Sequence, residues 1–240
     1  MRQETRNDLI LAVLFFAVVT MLTGSWILAL LFMFALGWHE YGHVLAFRQA
    51  GHKRVRWRFI PFLGAVAWSG APTRSQVERL YIALMGPGFS LVLLVLCLLA
   101  REMVPVGSQE SWLLSYAVLT IGMLNAVNLL PLWPLDGSHV LRAMLAGWAP
   151  PGLARSILIA SGGLLVILAA IKGLFVISIF ASLQIMALIR FESEADEAAV
   201  RLLTPQERRL GAVAYFATLG AHGLAGWPFI ASFTGLDAFL

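Results

Sequence analysis

The chain has 240 residues, of which 60% are hydrophobic and 12% charged, and its mean hydropathy is +0.82. Soluble domains carry about 25% charged residues, so these values exclude a disordered chain, a coiled coil and an ordinary soluble globule. They leave an all-α polytopic membrane protein with room for about six or seven spans of ~20 residues. The net charge of +4 would raise nucleic acid as a partner for a soluble protein. In a membrane protein the position of each cation matters more, because it sets topology, and no nucleic-acid partner is expected.

Apolar runs fall at 9–22, 26–47, 80–100, 112–130, 153–171 and 174–189. A further candidate at 210–230 contains His222, several glycines and Pro228, and reads as a seventh span or as an interfacial helix. The first run has no small-residue cleavage site after it and reads as a retained span rather than a signal peptide. With the N-terminus in the cytosol, 15 of the 17 Lys and Arg residues fall on the cytosolic side, leaving only Arg101 and Lys172 opposite. Cys97, the single cysteine, lies in an apolar run and reads as a small hydrophobe.

Two connections are more than turns. In 53–70, Val55, Trp57 and Phe59 alternate with Arg54, Arg56 and Arg58, which predicts a membrane-associated β-hairpin. The spacing of 191–209, acidic first and basic last, allows an amphipathic cytosolic helix. The expected organisation is a first helix over 1–24, a core over 25–148, two helices over 149–191, and a cytosolic segment with the candidate seventh helix over 192–240. No internal repeat supports an inverted-repeat transporter.

In the run 26–47 the only readily ionisable groups, tyrosine aside, are His39, Glu40 and His43. A charge near mid-bilayer costs at least ~2.5–3.5 kcal/mol, so three such groups within five residues call for a shared function. They spell H-E-x-x-H. On a helix the two histidines share a face one turn apart and can ligate one Zn²⁺, leaving the glutamate beside the metal to move protons. The site would lie roughly 6–10 Å from the cytosolic end of that helix at 1.5 Å per residue.

A catalytic zinc site needs a third protein ligand and one open position. Acidic residues near a cytosolic boundary are Glu78, Asp136 and Glu192. Asp136 follows the fourth span, behind Pro131 and Pro134 and ahead of Gly137, and arrives at the same face as the histidines. Read alone, Pro-Leu-Asp-Gly is better taken as a loop turn with a helix N-cap aspartate than as a metal ligand.

H-E-Y-G-H at 39–43 and N-L-L-P-L-W-P-L-D-G at 128–137 resemble the two motifs of the site-2 protease family of intramembrane zinc metalloproteases. The resemblance implies a single zinc ion held by His39, His43 and Asp136, general acid/base catalysis by Glu40, and substrate or oxyanion contact by Asn128. An interhelical hydrogen bond is the alternative role for Asn128. Gly86-Pro87-x-x-Ser90 is similar to a family element that usually ends in asparagine, Ser138 stands where a second glycine is usual, and His139 where arginine is frequent. The family's core of three helices and a β-rich segment corresponds to spans two to four and the 53–70 hairpin. The expected form is a minimal one, without a PDZ or CBS domain. Implied partners are a transmembrane protein or peptide substrate and the lipid bilayer; the compact form suggests a bacterial-type plasma membrane. The rival readings are an inactive membrane binder or chaperone of this fold and a metal transporter with a central His/Glu site.

Overall fold

A computed structural model describes residues 3–60, 64–150, 152–191 and 201–234. In chain order the described elements are α1 (Gln3–Thr23), α2 (Trp26–Gln49), β1 (Val55–Ile60), β2 (Gly64–Ser69), α3 (Gln76–Glu102), α4 (Gln109–Asn128), α5 (Asp136–Leu145), α6 (Leu153–Ile171), α7 (Phe175–Phe191) and α8 (Pro205–Thr234). Four of them, α2, α3, α4 and α6, are long and apolar enough to cross a membrane; the apolar parts of α1 and α7 are shorter, Asn7–Thr23 and Ile177–Arg190. The candidate run 210–230 lies wholly within α8.

Local sequence explains where the helices begin. Ser25 accepts from the Leu28 amide at the start of α2 and Ser108 from Ser111 at the start of α4. Ser75 accepts from Glu78 ahead of α3. The α8 start is a reciprocal cap: Thr204 Oγ accepts from the Glu207 amide, and the Glu207 carboxylate accepts from the Thr204 amide, with Pro205 at the first helical position. Helix was allowed across 191–209, but Arg201 instead forms a parallel bridge with Ser75, and its carbonyl accepts from the Gln76 amide at 2.8 Å. Residues 192–200 of that segment lie outside the described residues.

The chain divides into two compact units. The first comprises Met1–Pro72, Met85–Ala126 and Ala217–Leu240. Its core gathers Phe15, Val19, Ala29, Ala35, Leu36, Leu94, Val118, Ile121 and Leu124. The predicted hairpin is present as an antiparallel pair with Val55 opposite Ser69 and Ile60 opposite Gly64. Its apolar face packs inward: Phe59 stacks on Phe15 of α1 with centroids 5.5 Å apart. Arg54, Arg56 and Arg58 lie on the other face and are exposed, and Arg58 lies over the Trp68 ring. The alternation read in the sequence is therefore a division between helix packing and a cationic outer face.

The second unit comprises Thr73–Leu84 and Val127–Phe216. Its core is Leu80, Ala83, Val140, Ala143 and Leu203. Helices α6 and α7 pack as a helical hairpin, with Ile185 lying where a side chain at Gly162 would project. Their outer faces expose Leu164, Ile167, Leu168, Ile171, Ile179 and Leu183, the surface expected of helices solvated by lipid.

Candidate metal centre

His39, Glu40 and His43 sit on α2 and are 2%, 4% and 7% exposed. The four-residue spacing brings the imidazoles together, with Nε2 to Nε2 at 3.1 Å. Two ligands bound tetrahedrally at ~2.0–2.1 Å to one zinc ion would lie about 3.3 Å apart, so the pair is spaced as ligands of a single cation. Asn125 of α4 fixes the chemistry of one ring. Its amide nitrogen donates to the Ile121 carbonyl at 2.8 Å, which turns its carbonyl oxygen toward His39 Nδ1 at 2.7 Å. A carbonyl oxygen only accepts, so His39 carries its proton on Nδ1 and presents the lone pair of Nε2 toward His43. Asn125 is fully buried and escaped the sequence reading, because nothing local distinguishes it from a helix-packing asparagine.

Helix α3 closes over this pair. At Gly42 any side chain would run into the Met85 carbonyl and Phe89, so the glycine inside H-E-Y-G-H lets the two helices approach. Gly86 faces the imidazoles themselves: a Cβ there would fall on His43 Nε2 and lie 2.9 Å from His39 Cε1. Trp38 locks the same contact by stacking on Phe89 and donating its indole N–H to the Phe89 carbonyl at 3.1 Å. Ser90, at the position where the family usually has asparagine, is buried and donates back to the Gly86 carbonyl at 3.0 Å.

The second motif lies in the other unit and is built differently. Asn128 is the last residue of α4 and is half-buried. The backbone then turns irregularly to Asp136, the first residue of α5, where the positive helix terminus favours a carboxylate. The sequence left open a turn with an aspartate cap; here Leu135 takes the N-cap position and Asp136 is helical. Irregular backbone at membrane depth must find hydrogen-bond partners within the protein. Tyr215 donates its hydroxyl to the Leu129 carbonyl at 2.6 Å, and Ser161 donates to the Pro131 carbonyl at 2.5 Å. Neither was singled out in the sequence, since each acts on a residue 30 or more positions away. Gly137 is required sterically, because a side chain there would collide with the Leu129 and Leu130 carbonyls. Ser138, at the variant motif position, is buried and donates to the Leu135 carbonyl at 2.7 Å, while His139 is half-buried on α5.

His39 and His43 thus belong to the first unit and Asp136 to the second. Two imidazoles and a carboxylate are a recurrent ligand set for catalytic zinc.

No protein-family profile matches the chain. Over 108 residues, 45% of the chain, it is 27% identical to a zinc metalloprotease of Methanocaldococcus jannaschii, and the match spans 31% of that protein's length. The solved site-2 protease from Methanocaldococcus jannaschii superimposes with a TM-score of 0.51 at 22% identity, covering 82% of this chain and 90% of that one. The class is therefore set by the fold: a helical membrane protein with the site-2 protease architecture. The chain thus shares its fold with that site-2 protease and part of its sequence with that zinc metalloprotease.

Proposed function

We propose that the chain is an intramembrane zinc metalloprotease that hydrolyses peptide bonds in or near transmembrane segments of membrane-protein substrates. The observation that carries this reading is the buried imidazole pair, 3.1 Å apart at Nε2, with the tautomer of His39 held by Asn125. A proton on His43 Nε2 would make the same contact a hydrogen bond; the carboxylate of Glu40, buried on the same turn, is what favours a cation between the rings.

In this reading His39, His43 and Asp136 hold one zinc ion. When bound, the ion would polarise a peptide carbonyl and lower the pKa of water to about 7. Glu40, on the same turn as both histidines, takes the proton from the attacking water and delivers it to the nitrogen of the departing amine. Asn128 contacts the substrate or the developing oxyanion, where a donor acts mainly on charge that appears in the transition state. The substrate helix must first unwind, because its peptide bonds are hidden in its own hydrogen bonds. Part of Val55 to Trp68 then supplies an edge that holds the unwound stretch by strand addition. The distribution of Lys and Arg supports a site near the cytosolic face of a plasma membrane.

Glu40→Gln is the direct test. The variant is expected to keep wild-type metal content while cleavage of a model single-span substrate falls by about 10²–10⁴-fold, the usual share of general acid–base catalysis. Wild-type cleavage rates in this variant would remove Glu40 from the reaction.

A further inference from the structure

His222 plays no part in the reaction above, yet it is 0% exposed, and its ring is tied to the helix that covers the imidazole pair. Its Nε2 lies 2.9 Å from the Pro87 carbonyl oxygen. Because that oxygen only accepts, Nε2 carries the proton and the imidazole donates. Pro87 sits inside α3 and has no N–H, so the carbonyl of Ala83 lacks its helical donor and α3 is short of one backbone hydrogen bond at this turn. The residue before it is Gly86, whose backbone lies against both His43 and His39. A donor from another helix therefore pins α3 at the turn where a small displacement would alter the space over the imidazoles.

The same face of α8 also seats α4. Thr218, His222 and Gly226 recur every four residues and are all buried. At Gly226 the two backbones meet: a Cβ there would lie 2.8 Å from the Met123 nitrogen and 3.1 Å from the Gly122 carbonyl carbon. Gly122 is one turn before Asn125, whose carbonyl orients His39. One turn of α8 thus touches both helices that position the imidazoles, at the residue next to Gly86 and one turn from Asn125.

We infer that the Thr218–His222–Gly226 face of the C-terminal helix braces the metal centre, and that His222 is a positioning residue acting through the Pro87 carbonyl on the Gly86 turn. This rests on the metal-site reading of His39 and His43. It assigns α8 a role in setting the geometry of the centre, beyond that of a further membrane helix.

The test compares His222→Leu, which keeps bulk and removes the donor, with His222→Gln, whose side-chain amide can donate to the same carbonyl. Full-length protein loaded with Co²⁺ gives two readouts besides activity: the visible ligand-field spectrum and the rate of metal loss to a chelator. For His222→Leu we expect an altered spectrum, metal loss about threefold to tenfold faster and kcat lower by a similar factor with little change in KM, at or below the roughly 10–100-fold scale of a direct hydrogen-bond partner of a ligand. His222→Gln is expected to restore all three. Wild-type spectrum and metal retention in His222→Leu, or a glutamine variant no better than leucine, would overturn the brace. If His222→Leu is not recovered folded, Gly226→Ala tests the other contact: faster metal loss is expected, and unchanged retention overturns the inference. A wild-type protein that takes up no Co²⁺ would overturn the metal-site reading and the brace with it, whereas loaded wild type beside an indifferent His222→Leu overturns the brace alone.

Discussion

The two motif regions reach their geometry by opposite means. At 39–43 the backbone is an uninterrupted helix, and the constellation follows from a four-residue period plus glycines that let α3 press close. At 128–137 the helix is broken, and the segment keeps its path because Tyr215 and Ser161 satisfy its carbonyls from distant helices. Regular structure buries ligands without exposing polar backbone, but it can direct only side chains a turn apart. Irregular structure can set a carboxylate at the start of a new helix, as at Asp136, at the cost of backbone groups that other helices must satisfy.

This contrast predicts different failures. The largest is expected at the packed region: Gly86→Ala places a methyl group on the imidazole pair, so metal content should fall about 10–100-fold or more, read by elemental analysis of purified protein. Full metal content in that variant would show that α3 does not bear on the ligands. In the irregular region, Tyr215→Phe removes one donor and leaves the Leu129 carbonyl buried. A loss of about 1–3 kcal/mol in unfolding stability is expected, with His39 and His43 still able to bind metal. If stability is unchanged, the segment is held by something other than that hydroxyl.

The smallest effect lies outside both regions, at the start of α8. Arg201 and the Thr204 amide hold the Glu207 carboxyl down at about 2 from its ordinary 4.5. A carboxyl whose folded pKa is depressed stabilises the fold above its unfolded value and loses that contribution as pH falls through its folded value. Amide exchange at 204–208 should therefore accelerate as pH drops from about 4.5 toward 2, after correction for intrinsic rates, while the helix centre is unaffected. Glu207→Gln should abolish that pH dependence.

What was legible in the sequence is what depends on neighbours along the chain. The helix carrying His39, Glu40 and His43 announces itself as an unbroken apolar run, and the hairpin alternating at Val55, Trp57 and Phe59 by its period of two. Gly42 and Gly137 stand in the motifs, though the collisions they avoid are visible only in three dimensions. The cap Thr204-Pro-Gln-Glu207 was written in local residues as well and went unread beside the charge pattern of 191–209. Asn125, Ser161 and Tyr215 were not legible for a physical reason. Each is an ordinary polar residue in an apolar helix, and its importance lies in a hydrogen bond to a residue 30 or more positions away. That α5 would begin at Asp136 itself was equally hidden, since a capping aspartate and a first-turn aspartate have the same sequence signature.

X-ray absorption at the zinc edge of the purified full-length protein tests the central claim most directly. The account predicts one zinc per chain with two imidazole nitrogens and carboxylate oxygen at ~2.0–2.1 Å, one imidazole lost in His43→Ala, and the oxygen shell altered in Asp136→Asn. Zinc absent from well-folded protein, or a zinc shell indifferent to these substitutions, would contradict it.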